Sequence, residues 1–384
     1  MNSHQKSKFN HLYDVVVLGG GYSGYAAATR IHSSGLSVLL VDLAGDLLWE
    51  SGRAFCLDQG SSTSKEWSEL LASLHSRGCC TADAIDGASA EIIATHQVVE
   101  SKLEVLYYVS PVAVETIEGN ITSVIVATKS GPRRIAARQW IDATELGLLT
   151  RLVCPEAVAR LPFRRNIYIY LERNDWPENQ AFTWEDTSSG MHASLRTSVW
   201  DIERCLHVTL SNAENSAQTA CLSALGAAHA QAPDLFSSAL VTHLSVEPFP
   251  EYQEDDSRAV FGCPANLGIA SPSFSSGTVQ TLADRFELGI KAAESVAAKG
   301  GAKPQTPEFG KAYPAIEPRD TIRTDVAVAG VGTGGALACL AAAKQGVSVI
   351  GFDLHSFPGG IGSGGGIHVY YYGVPGGLQN EVDD

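Results

Sequence analysis

What the chain lacks narrows its class before any motif is considered. No apolar run reaches the roughly 18 residues of a membrane-spanning helix. Basic residues are scarce: 27 Lys and Arg against 42 Asp and Glu leave a net charge of −15. A field of that sign repels phosphate backbones and argues against a nucleic-acid binder. Metal-type cysteine spacing is also missing. Cys56, Cys154, Cys205, Cys221, Cys263 and Cys339 are scattered, only Cys79-Cys80 are adjacent, and no CxxC pair or Cys/His cluster suggests zinc. Reduced, mostly buried thiols are expected. The opening MNSHQKSKFNHLYD has no apolar signal core, so a soluble cytoplasmic protein is the expectation. With 18% charged and 45% hydrophobic residues the chain is not disordered, and 384 residues leave room for two or three domains.

What is present begins at Tyr13. Tyr13 to Leu18 is a continuous apolar run, as a strand buried on both faces should be. It enters Gly19-Gly20-Gly21-Tyr22-Ser23-Gly24, then a helix-type stretch, a Gly35 stop and a second apolar strand ending at Asp42. Each piece suits a dinucleotide. Gly19 permits the tight turn, Gly21 lets the backbone approach a pyrophosphate, and Gly24 lets helix pack on strand. Ser23 lies in the first helical turn, whose free N–H groups attract phosphate. Asp42 is placed to accept the ribose hydroxyls.

The same pattern occurs twice. At an offset of 311 residues Gly19, Gly21, Gly24 and Asp42 fall on Gly330, Gly332, Gly335 and Asp353, and 12 of 31 positions from Tyr13 and Thr324 onward are identical without a gap. So long a period implies a duplicated nucleotide-binding unit and not a solenoid.

The fingerprint alone does not choose between FAD and NAD; the intervening chain does. A capping box, Thr63-Ser64-Lys65-Glu66, opens one helix, and a second helical stretch runs from about Ala88 to Val99. An apolar strand, Leu103 to Val109, precedes three short strands, Val112–Ile117, Ile121–Thr128 and Arg134–Ala137. They feed Asp142-Ala143-Thr144-Glu145. This order resembles the FAD-dependent oxidoreductase family, with its glutathione-reductase-like FAD domain. The resemblance implies FAD as cofactor. It also implies cofactor contacts from Arg53, in the loop after the ribose acid, from Val112 on the adenine-contacting strand and from Thr144. In the family the corresponding exit segment ends in glycine, where this chain has Glu145. Ser276, Gly277 and Thr278 precede a helix expected over Val279–Ala298, which in the family points its N-terminus at the flavin. Cys56 stands alone where flavin disulfide reductases carry a Cys pair, so dithiol chemistry is not expected.

The implied fold class is α/β. Residues 1–150 and 261–300 form a Rossmann-like FAD-binding domain with a β-meander, and 151–260 an α+β substrate or cap region. A Pro/Gly linker spans 301–323, and 324–384 form a partial second Rossmann βαβ unit. His192, His207, His229 and His243 lie in the cap region, but no pattern singles one out as catalytic, and His368 lies in a glycine-rich loop of the second unit. The expected function is transfer of hydride from a small organic substrate to flavin N5, with an unspecified electron acceptor and no metal. Two alternatives are a non-catalytic flavin-binding subunit or fragment, and an NAD-dependent dehydrogenase. At most one FAD per chain is expected, held by Gly19–Asp42. A second chain or further sequence would complete the second unit, whose helix from Ala336 to Ala343 is apolar nearly all round and so expected to be buried.

Overall fold

Strand β1 (Leu12–Leu18) is apolar on both faces because both faces are covered. Val15 and Val17 join one core, while Val16 and Leu18 join another on the opposite side of the sheet. The computed structural model describes residue 9 and residues 11–177, 181–211, 217–255, 262–298, 312–314, 320–355, 358–363, 376–378 and 381. Two compact units result, Met1–Ile316 and Glu317–Asp384.

In the first unit β1 leads through the glycine turn into α1 (Tyr22–Ser33), β2 (Val38–Val41), α2 (Trp49–Gly52), α3 (Lys65–His75), α4 (Gly87–Ser101) and β3 (Glu104–Leu106). The meander follows as β4 (Ser110–Ile117), β5 (Asn120–Thr128) and β6 (Gly131–Asp142). The sheet order is β3-β2-β1-β6-β5-β4, parallel from β3 to β6 and antiparallel in the meander. One long strand, β6, takes in the expected strand Arg134–Ala137 and runs on to Asp142. Its first half pairs with β5, and its second half instead accepts the parallel strand β13 (Leu267–Ile269).

The middle region begins with α5 (Leu148–Val153) and builds a second sheet. Its strands are β7 (Arg164–Glu172), β8 (Thr183–Asp186), β9 (Met191–Thr197), β10 (Glu203–Leu210), β11 (Leu240–Leu244) and β12 (Phe249–Glu251). The order is β11-β7-β10-β9-β8, with β12 also on β7. Period-two alternation sorts β7. Ile167, Ile169 and Leu171 pack in a core with Ala220, Ala224 and Ala228 of α6 (Ala217–Gln231) and Phe236 of α7 (Pro233–Phe236), while Tyr168 and Tyr170 face the core that holds α1. Cys154 and Cys263 form a disulfide, so these two are not the reduced thiols expected; the return of the chain to β13 beside β6 brings together residues 109 apart in sequence.

Two helix starts differ from expectation. Ser64 is the N-cap of α3 but makes no side-chain cap bond, because its hydroxyl pairs with Ser62 and Glu66 turns to Arg30 at 3.2 Å. The helix α8 (Leu282–Ala298) starts three residues later than Val279. Val279 is extended, exchanging two backbone bonds with Tyr252, and Thr281 and Asp284 cap the helix reciprocally.

The second unit contains β14 (Val326–Ala329), α9 (Thr333–Lys344) and β15 (Val349–Phe352), with the strands parallel. None of the α9 residues is buried, contrary to expectation, since two short strands cover only one side of a helix. The linker 301–323 lies largely, and His368 wholly, outside the described residues.

Gly24 shows how little room the first turn leaves. A Cβ there would lie 1.7 Å from the Gly19 carbonyl oxygen. Gly24→Ala should lower stability to urea by about 3 kcal/mol, since overpacked backbone cannot yield. Gly226→Ala, mid-helix with nothing within 4 Å of the added carbon, should instead stabilise by about 0.5–1 kcal/mol.

Candidate functional site

The structure brings Gly19, Gly21, Ser23, Gly24, Asp42 and Thr144 together at the carboxyl end of β1, where open α/β sheets bind their ligands. The Gly19 amide bonds the Val41 carbonyl at 2.7 Å, and Ala143 N–H bonds Leu18 at 2.7 Å, which closes the crevice floor. Asp42 is buried. It accepts from the Gly20 amide through one carboxylate oxygen and from Ala44 N–H through the other, at 2.7 Å. Burial raises its pKa, opposed by those two amides.

The N-terminus of α1 is already engaged. Tyr22 N–H donates to both oxygens of Glu50, at 3.1 and 3.2 Å, and a Cβ on Gly21 would meet Glu50 Oε1 at 2.6 Å and Trp49 Nε1 at 2.9 Å. Glu50 is 1% exposed and Arg285, on α8, is 0% exposed. The guanidinium lies 3.6 Å from Glu50 Oε1, grips Glu145 with both terminal nitrogens, and donates to the Pro250 carbonyl at 2.8 Å. It also lies over Phe249, 4.6 Å from the ring centre. Tyr252 completes the set by donating to Glu145 at 2.8 Å. Burial pushes the Glu50 carboxyl up to about 7 against the pull of Arg285. Glu145, where the resembled family has glycine, is thus one of two acids that neutralise a buried arginine.

The other residues read as cofactor contacts are spent elsewhere. Thr144 bonds the buried Asp142 through its hydroxyl at 2.7 Å, and Ser23 reaches the Ala143 carbonyl at 3.5 Å. Arg53 is paired with Asp46 at 3.0 Å and Glu247 at 2.7 Å. Val112 sits at an irregularity in the β4–β5 register, half-buried. Ser276, Gly277 and Thr278 are exposed on a loop that Arg160 holds, donating to Ser275 Oγ at 2.6 Å and the Gly277 carbonyl at 2.8 Å. They are not at the start of α8.

A second polar cluster, missed from sequence, lies under the middle sheet. Asp58 takes both ends of the Arg196 guanidinium, at 2.6 and 3.1 Å, and the Tyr168 hydroxyl at 2.8 Å. His207 stacks on Tyr168 with ring centres 4.7 Å apart. Arg196 can only donate, at 3.4 Å, so His207 Nδ1 accepts and Nε2–H donates to Asn166 Oδ1 at 2.9 Å. Burial first, then Arg196, pushes the His207 pKa down to about 4, although Asp58 pulls the other way. His192, His229 and His243 are exposed. Among the described residues no three His, Cys, Asp or Glu are placed to hold a metal ion, and no helix is long and apolar enough to cross a membrane.

The second unit repeats several bonds of the first. Asp325 and Ser348 exchange the contacts that Asp14 and Ser37 make, and Val331 N–H donates to Asp353 as Gly20 does to Asp42. Asp353 shifts the other way: the backbone amides of His355 and Val331 hold it down at about 2. A Cβ on Gly335 would lie 1.9 Å from the Gly330 carbonyl oxygen, as with Gly24.

With this geometry in place, comparison with known proteins is direct. Residues 14–154 match the family model described as FAD dependent oxidoreductase. The match covers the first strand–helix–strand unit and the meander, and the family described is FAD-dependent. No curated protein matches the chain by sequence. Among solved structures, a geranylgeranyl bacteriochlorophyll reductase-like protein from Thermoplasma acidophilum aligns over 75% of this chain and 79% of its own, with 12% identity and a TM-score of 0.56. A flavin-dependent brominase aligns over the same shares, at 12% identity and TM-score 0.54. Glycerol-3-phosphate dehydrogenase from Bacillus halodurans, complexed with FAD, aligns over 76% of this chain and 66% of its own, at 13% identity and 0.53. At such identities the likeness is one of fold.

The first fingerprint, as its side chains stand, does not fit an FAD pyrophosphate. Glu50 Oε1 and Trp49 Nε1 stand 2.6 and 2.9 Å from where a Cβ on Gly21 would lie. A phosphate charge about 4 Å from the Glu50 carboxylate would be repelled by about 4 kcal/mol in a partly screened site.

Two outcomes follow. Arg285→Met should cost about 3–5 kcal/mol in urea unfolding, because it leaves two buried acids without their cation. His207 makes stability pH-dependent: its folded pKa lies below the ordinary 6.5, so the unfolded chain binds more protons between pH 6.5 and 4. Stability is full above that window and falls as pH drops through it, by at most about 3 kcal/mol. Urea midpoints of His207→Asn should show a shallower fall.

Proposed function

We propose that this chain is, or contributes the N-terminal portion of, a flavin-dependent oxidoreductase that takes hydride from a C–H bond next to oxygen or nitrogen in a small organic substrate. An electron acceptor then reoxidises the flavin. The observation that carries this is the match of residues 14–154 to an FAD-dependent family on a strand–glycine turn–helix–acid frame that leads through a meander to Asp142. A self-filled first seat favours one second reading, a flavin-binding subunit without turnover of its own. The partners are a small-molecule substrate, the acceptor and, for the second unit, strands from another chain or from further sequence.

Purified protein should show the visible absorbance of flavin. Under anaerobic conditions one member of a panel of amines, alcohols and sugars should bleach it. Absence of flavin sinks the proposal, and flavin that no substrate bleaches selects the subunit without turnover.

A further inference from the structure

The two fingerprints share a backbone but not the residues that follow it. Leu48 N–H bonds the Gly20 carbonyl at 2.9 Å, and Gly359 N–H bonds the Val331 carbonyl at 2.9 Å, the same bond at the same offset. Leu48-Trp49-Glu50 in the first unit therefore stands where Gly359-Gly360-Ile361 stands in the second. Leu48 adopts φ +52°, a left-handed conformation that costs a branched residue and costs glycine nothing; Gly359 takes φ +96° freely. The first unit has the same turn with bulkier residues where the second has glycines.

The exchange decides what the helix N-terminus meets. Glu50 is 1% exposed with both oxygens on Tyr22 N–H, whereas Ile361 is 62% exposed. A Cβ on Gly360 would lie 3.1 Å from the Thr333 amide nitrogen and 2.9 Å from Gly332 Cα, so glycine keeps that approach clear. A carboxylate accepting a helix N-terminal amide has the charge and bonding of a phosphate oxygen.

We propose that Glu50 is a built-in substitute for the cofactor's pyrophosphate, so that the first fingerprint is a closed seat and any FAD on this chain is held at Gly330–Gly335 and Asp353. This rests on the flavin reading above, and it reverses the expected assignment of FAD to Gly19–Asp42. The first unit keeps the dinucleotide frame as architecture, with its own anion in place.

Full-length protein is reconstituted with FAD, dialysed, and compared with Gly332→Val. A Cβ at Gly332 meets nothing within 4 Å, and circular dichroism of the variant checks that the fold is kept before any loss is assigned to the ligand. The variant should bind FAD at least about tenfold more weakly. FAD retained by Gly332→Val, or lost instead in Asp42→Ala, overturns the assignment. A second arm involves no flavin. In the Gly332→Val background, ADP should give no thermal shift until Leu48→Gly/Trp49→Gly/Glu50→Ile opens the first seat. Should that triple variant not fold, Glu50→Gln in the same background removes the charge alone and should yield a smaller shift. No ADP shift in either opened variant overturns the role of Glu50. Wild-type protein that binds no FAD overturns the flavin reading and the second-seat assignment with it, and the ADP arm separates that failure from failure at Glu50.

Discussion

One guanidinium organises the first unit. Arg285 leaves α8 fully buried and meets acids from two other places: Glu50 on α2 and Glu145 at the end of the β6 exit. A buried cation without partners would be untenable, and buried acids without a cation equally so. Each member therefore fixes the others. Close packing of α8 on α1 depends on the same place, since a Cβ on Gly289 would lie 1.9 Å from the Ser23 carbonyl oxygen. The helix can approach only if its arginine is accommodated, and α2 and the Glu145 turn are set where they accommodate it.

The order of elements was legible in the sequence because backbone chemistry imposes it. An apolar strand, a Gly-x-Gly-x-x-Gly turn and an acid ending the next strand leave few alternatives, and β4, β5 and α4 lie within a residue or two of expectation. Boundaries failed where a local bond outweighed pattern. Val279 looked helical but pairs with Tyr252, and the capping box expected from Thr63 and Glu66 gives way to Ser64 as N-cap, one residue later, with its hydroxyl shared with Ser62. Strands β8, β11 and β12 are short pieces whose pairing with β9 or β7 defines them, and such pairing leaves little periodicity in five residues or fewer.

The site was only half legible. Gly19, Gly24 and Asp42 sit as a dinucleotide frame requires, because turn and packing depend on glycine and on one carboxylate. Motif logic cannot see what side chain fills the space those glycines vacate. Glu50 and Arg285 are 235 positions apart, and no spacing rule joins them. One signal was available: comparison of the two copies beyond Asp42 and Asp353 sets Leu-Trp-Glu against Gly-Gly-Ile. Asp58, Arg196 and His207 left no such trace, since alternate positions on neighbouring strands meet only after the sheet has formed.

The bond from Tyr22 N–H to Glu50 also bears on how this unit is maintained in a cell. Ligand-dependent proteins gain stability in proportion to the logarithm of free ligand, so their folded fraction follows supply. Here the amide that would report ligand supply is bonded to the chain itself, at a local concentration that no change in metabolism alters. On the proposal that Glu50 closes the first seat, the stability of the first unit would not follow the logarithm of free cofactor.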